Sequence, residues 1–335
     1  MRAMDPPGGR KRHRYPVARV GGLVILPSIV IPLLLFVHLS PTMKGLLAGG
    51  LLVFILGFLD DVYDVPYYAK FLTQLLAVIL FLVLSKLRTA PLTFLGASAD
   101  FGYLYYPIII IWMLGVMNAF NLIDGMDALA GGVGFIVFST FAYLFYSSGQ
   151  PEELLISVVL VGAVLGFIRN NLPPARIFLG DSGSLFLGFM MAALGIVYAA
   201  GRGGTFSLTI PVLVVFLPVL DTLYVMAHRI WQRKNPFLPD RHHLHHILLD
   251  FSIEHFHVVL IIYLMALSFC VLAVLSQVLA NWMVCVLFVL LSFFTIISPR
   301  IYPFIDNSFL GTIFRFLYIK PADLILRFIR PNHYL

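Results

Sequence analysis

The chain has 335 residues, 60% of them hydrophobic and only 11% charged. A soluble domain carries about 25% charged residues, so this composition, with a mean hydropathy of +0.96, excludes an ordinary water-soluble enzyme and predicts an all-α polytopic membrane protein. The net charge of +6 suits a protein lying against an anionic leaflet, and no nucleic acid is needed to explain it.

In chain order, residues 1–19 read as a basic first inner loop, whose start shows Pro, Gly and cationic residues rather than the apolar core of a cleavable leader. Apolar segments then recur as far as Ser298 and predict a bundle of about ten transmembrane helices. The first two cover Val20–Leu39 and Met43–Leu59. The second ends in Gly57-Phe58-Leu59-Asp60-Asp61-Val62-Tyr63-Asp64. Carboxylates are costly in a membrane segment, and a helix C-terminus disfavours negative charge, so these acids call for a cationic partner. They suit Mg²⁺, a hard ion that takes oxygen ligands, and equally a role in orienting or deprotonating a phosphate nucleophile.

The third segment, Tyr67–Ser85, carries Lys70 near its start. Leu87–Tyr103 is a longer outer link whose Thr, Pro and Gly residues suit a small extracytoplasmic β-hairpin. The fourth segment, Tyr105–Ile123, closes on Asn118-Ala119-Phe120-Asn121-Leu122-Ile123-Asp124-Gly125-Met126-Asp127. Asn118, Asn121 and Asp124 recur every three residues and share one helical face. Amide oxygens are able to ligate Mg²⁺, carboxylates accept bonds from a base or a ribose, and Gly125 lets the chain turn. Segments over Leu129–Ser147 and Glu153–Ile168 lead to Arg169-Asn170-Asn171 and Arg176. Phe178-Leu179-Gly180-Asp181-Ser182-Gly183-Ser184 then opens the seventh segment, Ser184–Ala200. A Gly-rich turn into a helix N-terminus offers backbone N–H groups to an anion, and Asp181 is equally suited to cap that helix.

The eighth segment, Phe206–Ala227, contains Asp221, placed to pair with His228 or another buried group. A polar inner loop at 230–255 follows, with Asp240-Arg241-His242-His243-Leu244-His245-His246. So many histidines suggest zinc, yet no Cys and no defined ligand spacing accompany them, and imidazoles beside Arg241 suit phosphate better. The last segments, Phe256–Leu279 and Trp282–Ser298, hold Cys270 and Cys285, which read as small buried hydrophobes. Residues 300–335 read as a cytoplasmic amphipathic tail, which leaves 1–299 as the membrane domain.

Placing the N-terminus inside assigns 18 of the 22 Lys and Arg residues to inner loops and only Lys44, Lys86, Arg88 and Arg202 to outer ones. That bias puts both termini in the cytoplasm of a cell-membrane protein. The same orientation gathers Asp60, Asp61, Asp64, Asp124, Asp127, Asp181 and Asp240 on the inner side. A transporter, the competing class, would place its ionisable groups near the midplane.

These four motifs, in this order, resemble the polyprenyl-phosphate N-acetylhexosamine-1-phosphate transferases of glycosyltransferase family 4, from about Asp5 to Ile297. The loop Asp5-Pro6-Pro7-Gly8-Gly9-Arg10-Lys11 also looks like the family's first inner loop. Family members usually carry a further span ahead of it. Asp64 stands where phospho-MurNAc-pentapeptide translocases have Lys, and the His loop lacks their three consecutive His. It is similar instead to that of bacterial undecaprenyl-phosphate GlcNAc-1-phosphate transferases. The resemblance thus implies UDP-GlcNAc as donor, undecaprenyl phosphate as acceptor and Mg²⁺, or else Mn²⁺, as cofactor. A phospho-MurNAc-pentapeptide or other UDP-HexNAc donor is the alternative, and a homodimer is left open. By the same resemblance, Asn121 and Asp181 ligate the metal with Asp61 assisting, and Asp60 deprotonates or orients the lipid phosphate. Phe178 and Asn171 lie around the uracil, with Asp124, Asp127 and Asn118 also on the substrate side. Arg241, His243, His245 and His246 hold the diphosphate and sugar, His243 and His245 among the catalytic groups. Lys70 and Lys11 add positive charge at the lipid phosphate or the pocket rim.

Overall fold

The computed structural model describes residues 4–5, 17–87, 90–201, 206–236, 242–250, 254–305, 319–321 and 325. Lys11 and Arg241, both expected at the site, lie outside the described residues, as does most of the tail.

Two short strands, β1 (Met4–Asp5) and β2 (Val17–Ala18), pair antiparallel ahead of the first helix, α1 (Gly21–Phe36). The next, α2 (Pro41–Tyr63), starts where Ser40 Oγ accepts a 3.3 Å bond from the Met43 N–H and Pro41 takes the first helical position. Both devices suit the unbonded donors of a helix N-terminus. After α3 (Tyr67–Ser85), the expected hairpin forms from β3 (Leu92–Phe94) and β4 (Ala97–Ala99), with Thr93 opposite Ser98. Then follow α4 (Tyr105–Ile123), α5 (Leu129–Ser147), α6 (Pro151–Asn171) and α7 (Gly180–Ala200). Strand β5 (Phe206–Ser207) joins the hairpin in parallel beside β3. Then follow α8 (Thr209–Val214), α9 (Phe216–Trp231), α10 (Leu244–Asp250), α11 (His255–Leu275) and α12 (Asn281–Ile305).

Seven helices among the described residues are long and apolar enough to cross a bilayer: α2, α3, α4 with its preceding turn, α5, α6, α7 and α11. Of the remaining expected segments, α1 and the described part of α12 are apolar but shorter. The eighth departs from a single span. It is divided into β5, α8 and α9, with Val215 as the joint. Pro218 explains the division, because it has no N–H for the Val214 carbonyl and its ring would collide with it in a continuous helix. The Cys270 thiol, 3.6 Å away, donates to that carbonyl instead.

Helix α7 forms the centre of the bundle, buried at Gly180 and from Ser182 through Ala199. A helix enclosed on all sides must be apolar all round, and in a membrane close helix packing favours small residues. Gly188 shows the need, since a Cβ there would stand 2.9 Å from the Cα of Met117 on α4. Outside this core, large apolar side chains such as Leu35, Phe36, Ile111 and Leu290 are exposed, as a lipid-facing surface requires. The sheet β4-β3-β5 lies at one end of the bundle, following α3 and α7. The acidic motifs lie at the other.

Candidate active site

The site is organised where the end of α2 meets the start of α7. Gly57 permits the approach, since a Cβ there would run into the Asp181 carbonyl and the Ser182 Cα. Asp61 then reaches across. One of its oxygens accepts from the Asp181 N–H at 2.8 Å, the other from the Ser182 N–H at 3.0 Å and the Ser182 hydroxyl at 2.8 Å. Asp61 thus occupies the open donors of α7 and caps it from another helix. Its charge rests at the positive pole of α7, which offsets its unfavourable place at the negative pole of α2. Gly180 makes room with a left-handed φ of 73°, and a Cβ there would stand 2.7 Å from an Asp61 oxygen. From the other side, the Gly21 and Gly22 N–H groups donate to the carbonyls of Phe178 and Leu179 at 2.9 and 3.1 Å, and the Phe178 N–H donates to Ala18 at 2.9 Å. This backbone lacing carries Arg19 into the site.

Beside Asp61, Asp60 is buried and ion-paired with Lys70 of α3, while its other oxygen accepts from the Val65 N–H at 2.8 Å. Lys70 Nζ also stands 3.9 Å from the Asp181 carboxylate. The Asp181 side chain is 35% exposed and Asp60 only 3%, so Asp181 is the carboxylate that opens to a ligand. One turn along α7, the Ser184 hydroxyl lies 2.8 Å from Asn121 Oδ1 and 2.9 Å from the Gly180 carbonyl, which ties the end of α4 to the start of α7. Asn118 faces α3 instead, where its amide exchanges bonds of 2.8 and 3.4 Å with Gln74.

The turn after α4 forms the next wall. Asn171 Oδ1 accepts from the Ala128 N–H at 2.8 Å, and its amide donates to the Ile177 carbonyl at 2.8 Å. Asp127 accepts from the Ala175 N–H at 3.1 Å. Both side chains therefore brace the loop before α7. Enclosure in protein, and next the charge of Asp61, push the Asp124 carboxyl up to about 7, with Arg19 opposing.

The histidine loop closes on this turn. Asp221 of α9 receives it, with one oxygen 2.9 Å from His243 Nδ1 and the other accepting from the Leu244 N–H at 2.8 Å. His243 and His245 stack with ring centres 6.0 Å apart, and His246 lies 4.2 Å beyond. The His245 ring lies against Gly125, where a Cβ would stand 2.7 Å from Nε2. Burial, then the nearby charge of His246, pushes His245 down to about 3, and His246 is lowered for the same first reason. His245 is therefore neutral at physiological pH and contributes no positive charge.

The structure thus brings together Asp60, Asp61, Lys70, Asn121 and Asp181, and stacks His243 and His245 near Asp124. Asn118, Asp127 and Asn171 have partners in other elements. Sequence reasoning missed Gln74, Arg19 and Ser184 as site residues, and of the two options it left for Asp221, His228 or another buried group, the buried His243 lies 2.9 Å away. A lone Gln within an apolar helix was the available signal for Gln74. Among the described residues no three His, Cys, Asp or Glu side chains converge as a metal cluster. Asp181 and the Asn121 amide are nonetheless oxygen donors of the kind a hard divalent cation takes while keeping waters and substrate oxygens. The residues fit such an ion.

An apolar helical bundle with carboxylates, amide oxygens, Lys70 and Arg19 gathered at a single end defines a multi-pass membrane protein with a charged terminal site. The sequence pattern of glycosyl transferase family 4 matches residues 43–199. A probable undecaprenyl-phosphate N-acetylglucosaminyl 1-phosphate transferase of Bacillus subtilis is 34% identical, covering 88% of this chain and 84% of its own. The undecaprenyl-phosphate alpha-N-acetylglucosaminyl 1-phosphate transferase of Escherichia coli is 29% identical over 87% and 82%. A decaprenyl-phosphate N-acetylglucosaminephosphotransferase of Mycobacterium tuberculosis is 32% identical over 78% and 72%. The chain belongs to glycosyl transferase family 4.

Proposed function

We propose that this protein transfers N-acetylglucosamine 1-phosphate from UDP-GlcNAc to undecaprenyl phosphate at the cytoplasmic face of the cell membrane, releasing UMP. A phosphate oxygen of the lipid attacks the β-phosphorus of the donor. The bond from that phosphorus to the bridging oxygen breaks, and the electron pair leaves with UMP. In such transfers the protein mainly positions groups and neutralises charge. The observation that carries this reading is Lys70 set between Asp60 and Asp181 at the capped start of α7.

Lys70 provides a cation for the acceptor phosphate, and Asp60 orients that phosphate or takes its proton. Asp181 and Asn121 would hold Mg²⁺, which when bound supplies Lewis acidity and neutralises diphosphate charge. Asp61 holds Asp181 in place through the α7 amides. His243 and His245 complete the wall on the donor side. The Lys/Arg bias supports a cytoplasmic site and termini, with α1, the α8–α9 pair and α12 completing the membrane bundle.

The test is UMP release by purified protein in detergent with undecaprenyl phosphate, UDP-GlcNAc and Mg²⁺. Release should need all three and stop with EDTA. UMP formed without the lipid, or unchanged by EDTA, would contradict the assignment.

A further inference from the structure

Asp221 has no place in the transfer as set out above, yet it is a buried carboxylate within a largely apolar helix. Such a group is expensive unless its oxygens are bonded. Each oxygen has a partner in the histidine loop, His243 Nδ1 at 2.9 Å and the Leu244 N–H at 2.8 Å. The second bond fixes the backbone at the start of α10. The first fixes a ring. A carboxylate accepts only, so a neutral His243 must carry its proton on Nδ1, and Nε2 is left as a bare acceptor. The His243 side chain is 9% exposed, so water offers little competition for that bond. The ring stacks on His245, which abuts Gly125. The ring that Asp221 orients is thus connected to the turn carrying Asp124.

We propose that Asp221 is a positioning residue for the transfer reaction. It sets the tautomer and orientation of His243, so that Nε2 is available to accept a proton or hydrogen bond from the sugar-diphosphate substrate. The functional half of this inference rests on the transferase reading, while the tautomer half does not.

Asp221→Asn separates these roles from mere packing. The Asn carbonyl still accepts from the Leu244 N–H, but its amide now donates towards His243 Nδ1 and drives the ring proton to Nε2. Histidine-labelled protein in bilayers at about pH 8.5, above the ordinary imidazole range, gives ¹⁵N spectra that distinguish the two tautomers. The His243 signal is assigned by its loss in His243→Gln. The wild type should show Nδ1 protonated, and Asp221→Asn should reverse the pattern. An Nε2-protonated ring in the wild type, or an unchanged ring in the variant, overturns the proposal.

In turnover, an Asp→Asn swap that reverses the tautomer of a working histidine costs up to about 10⁴-fold, and a fall in kcat of at least about 30-fold is expected here. In a His243→Gln background the same swap should cost less than about threefold, because the two residues act as one unit. Equal losses in both backgrounds would mean that Asp221 acts on folding alone, and the positioning role would be refuted. A wild type with the Nδ1 tautomer but no UMP release would refute the transferase reading and the functional half with it, while the tautomer assignment stood.

Discussion

Asp61 is the residue on which the site turns. A carboxylate at the C-terminus of a helix is misplaced, and the sequence shows only that it needs a positive partner. The partner is the N-terminus of α7, joined through three accepted hydrogen bonds. Asp61→Ala removes a helix cap and leaves two amides bare, so it should cost at least about 2 kcal/mol of stability, read as a lower melting midpoint in detergent. Asp61→Asn should cost less. Asp181→Ala and Asn121→Ala act on charge in the transition state and should each lower turnover by at least about 10²-fold at saturating Mg²⁺. Near-normal turnover in both would remove them from the metal site. His245 gives a pH signature. Its folded value of about 3 lies below the ordinary 6.5, so between these values the unfolded chain binds a proton that the folded one refuses. The stability from its burial is therefore complete above about 6.5 and is lost as pH falls towards 3. His245→Gln should flatten the loss of melting temperature on acidification, and an equally steep loss would contradict a buried neutral imidazole.

Elements show what hydropathy is able to report. Helices α2 to α7 were legible because each is an apolar run closed by polar residues, and the hairpin was legible from its Gly and Pro. The division of the eighth segment was not, because apolarity alone does not distinguish one long helix from two short ones. Pro218 was the signal, and its effect depends on which carbonyl stands four residues earlier. Close approach between helices was equally hidden. Gly57 faces the backbone of α7, whereas a Cβ at Gly166 in α6 would meet nothing within 4 Å. Gly57→Ala should therefore abolish transfer and lower stability, while Gly166→Ala should leave both near wild type. Equal effects, measured by UMP release and melting, would contradict the α2–α7 contact.

At the scale of the whole molecule, the acidic motifs share the end of the bundle opposite the β-sheet. The four acidic and histidine motifs were separately ambiguous in the sequence, as caps, turns or solvated loops. Contacts such as those of Asp61 with α7 and His245 with Gly125 convert adjacency in a list into adjacency in space. Gln74 stood out as a lone amide in an apolar helix, but its partner Asn118, like the role of Arg19, depends on which helices touch. Sidedness is open to a direct check. A single reactive cysteine at Ser98, in the hairpin, should react with an impermeant maleimide on intact cells, and one at Asn235 only after the membrane is opened. The reverse pattern would invert the orientation.

The reaction class is decided by which bond of the donor breaks. UDP-GlcNAc labelled with ³²P at the β-phosphate distinguishes transfer of sugar 1-phosphate from transfer of sugar alone. Mg²⁺-dependent movement of the label into the lipid phase is expected, with unlabelled UMP as the other product. Label retained in UDP, or no label in lipid when undecaprenyl phosphate is present, would contradict it.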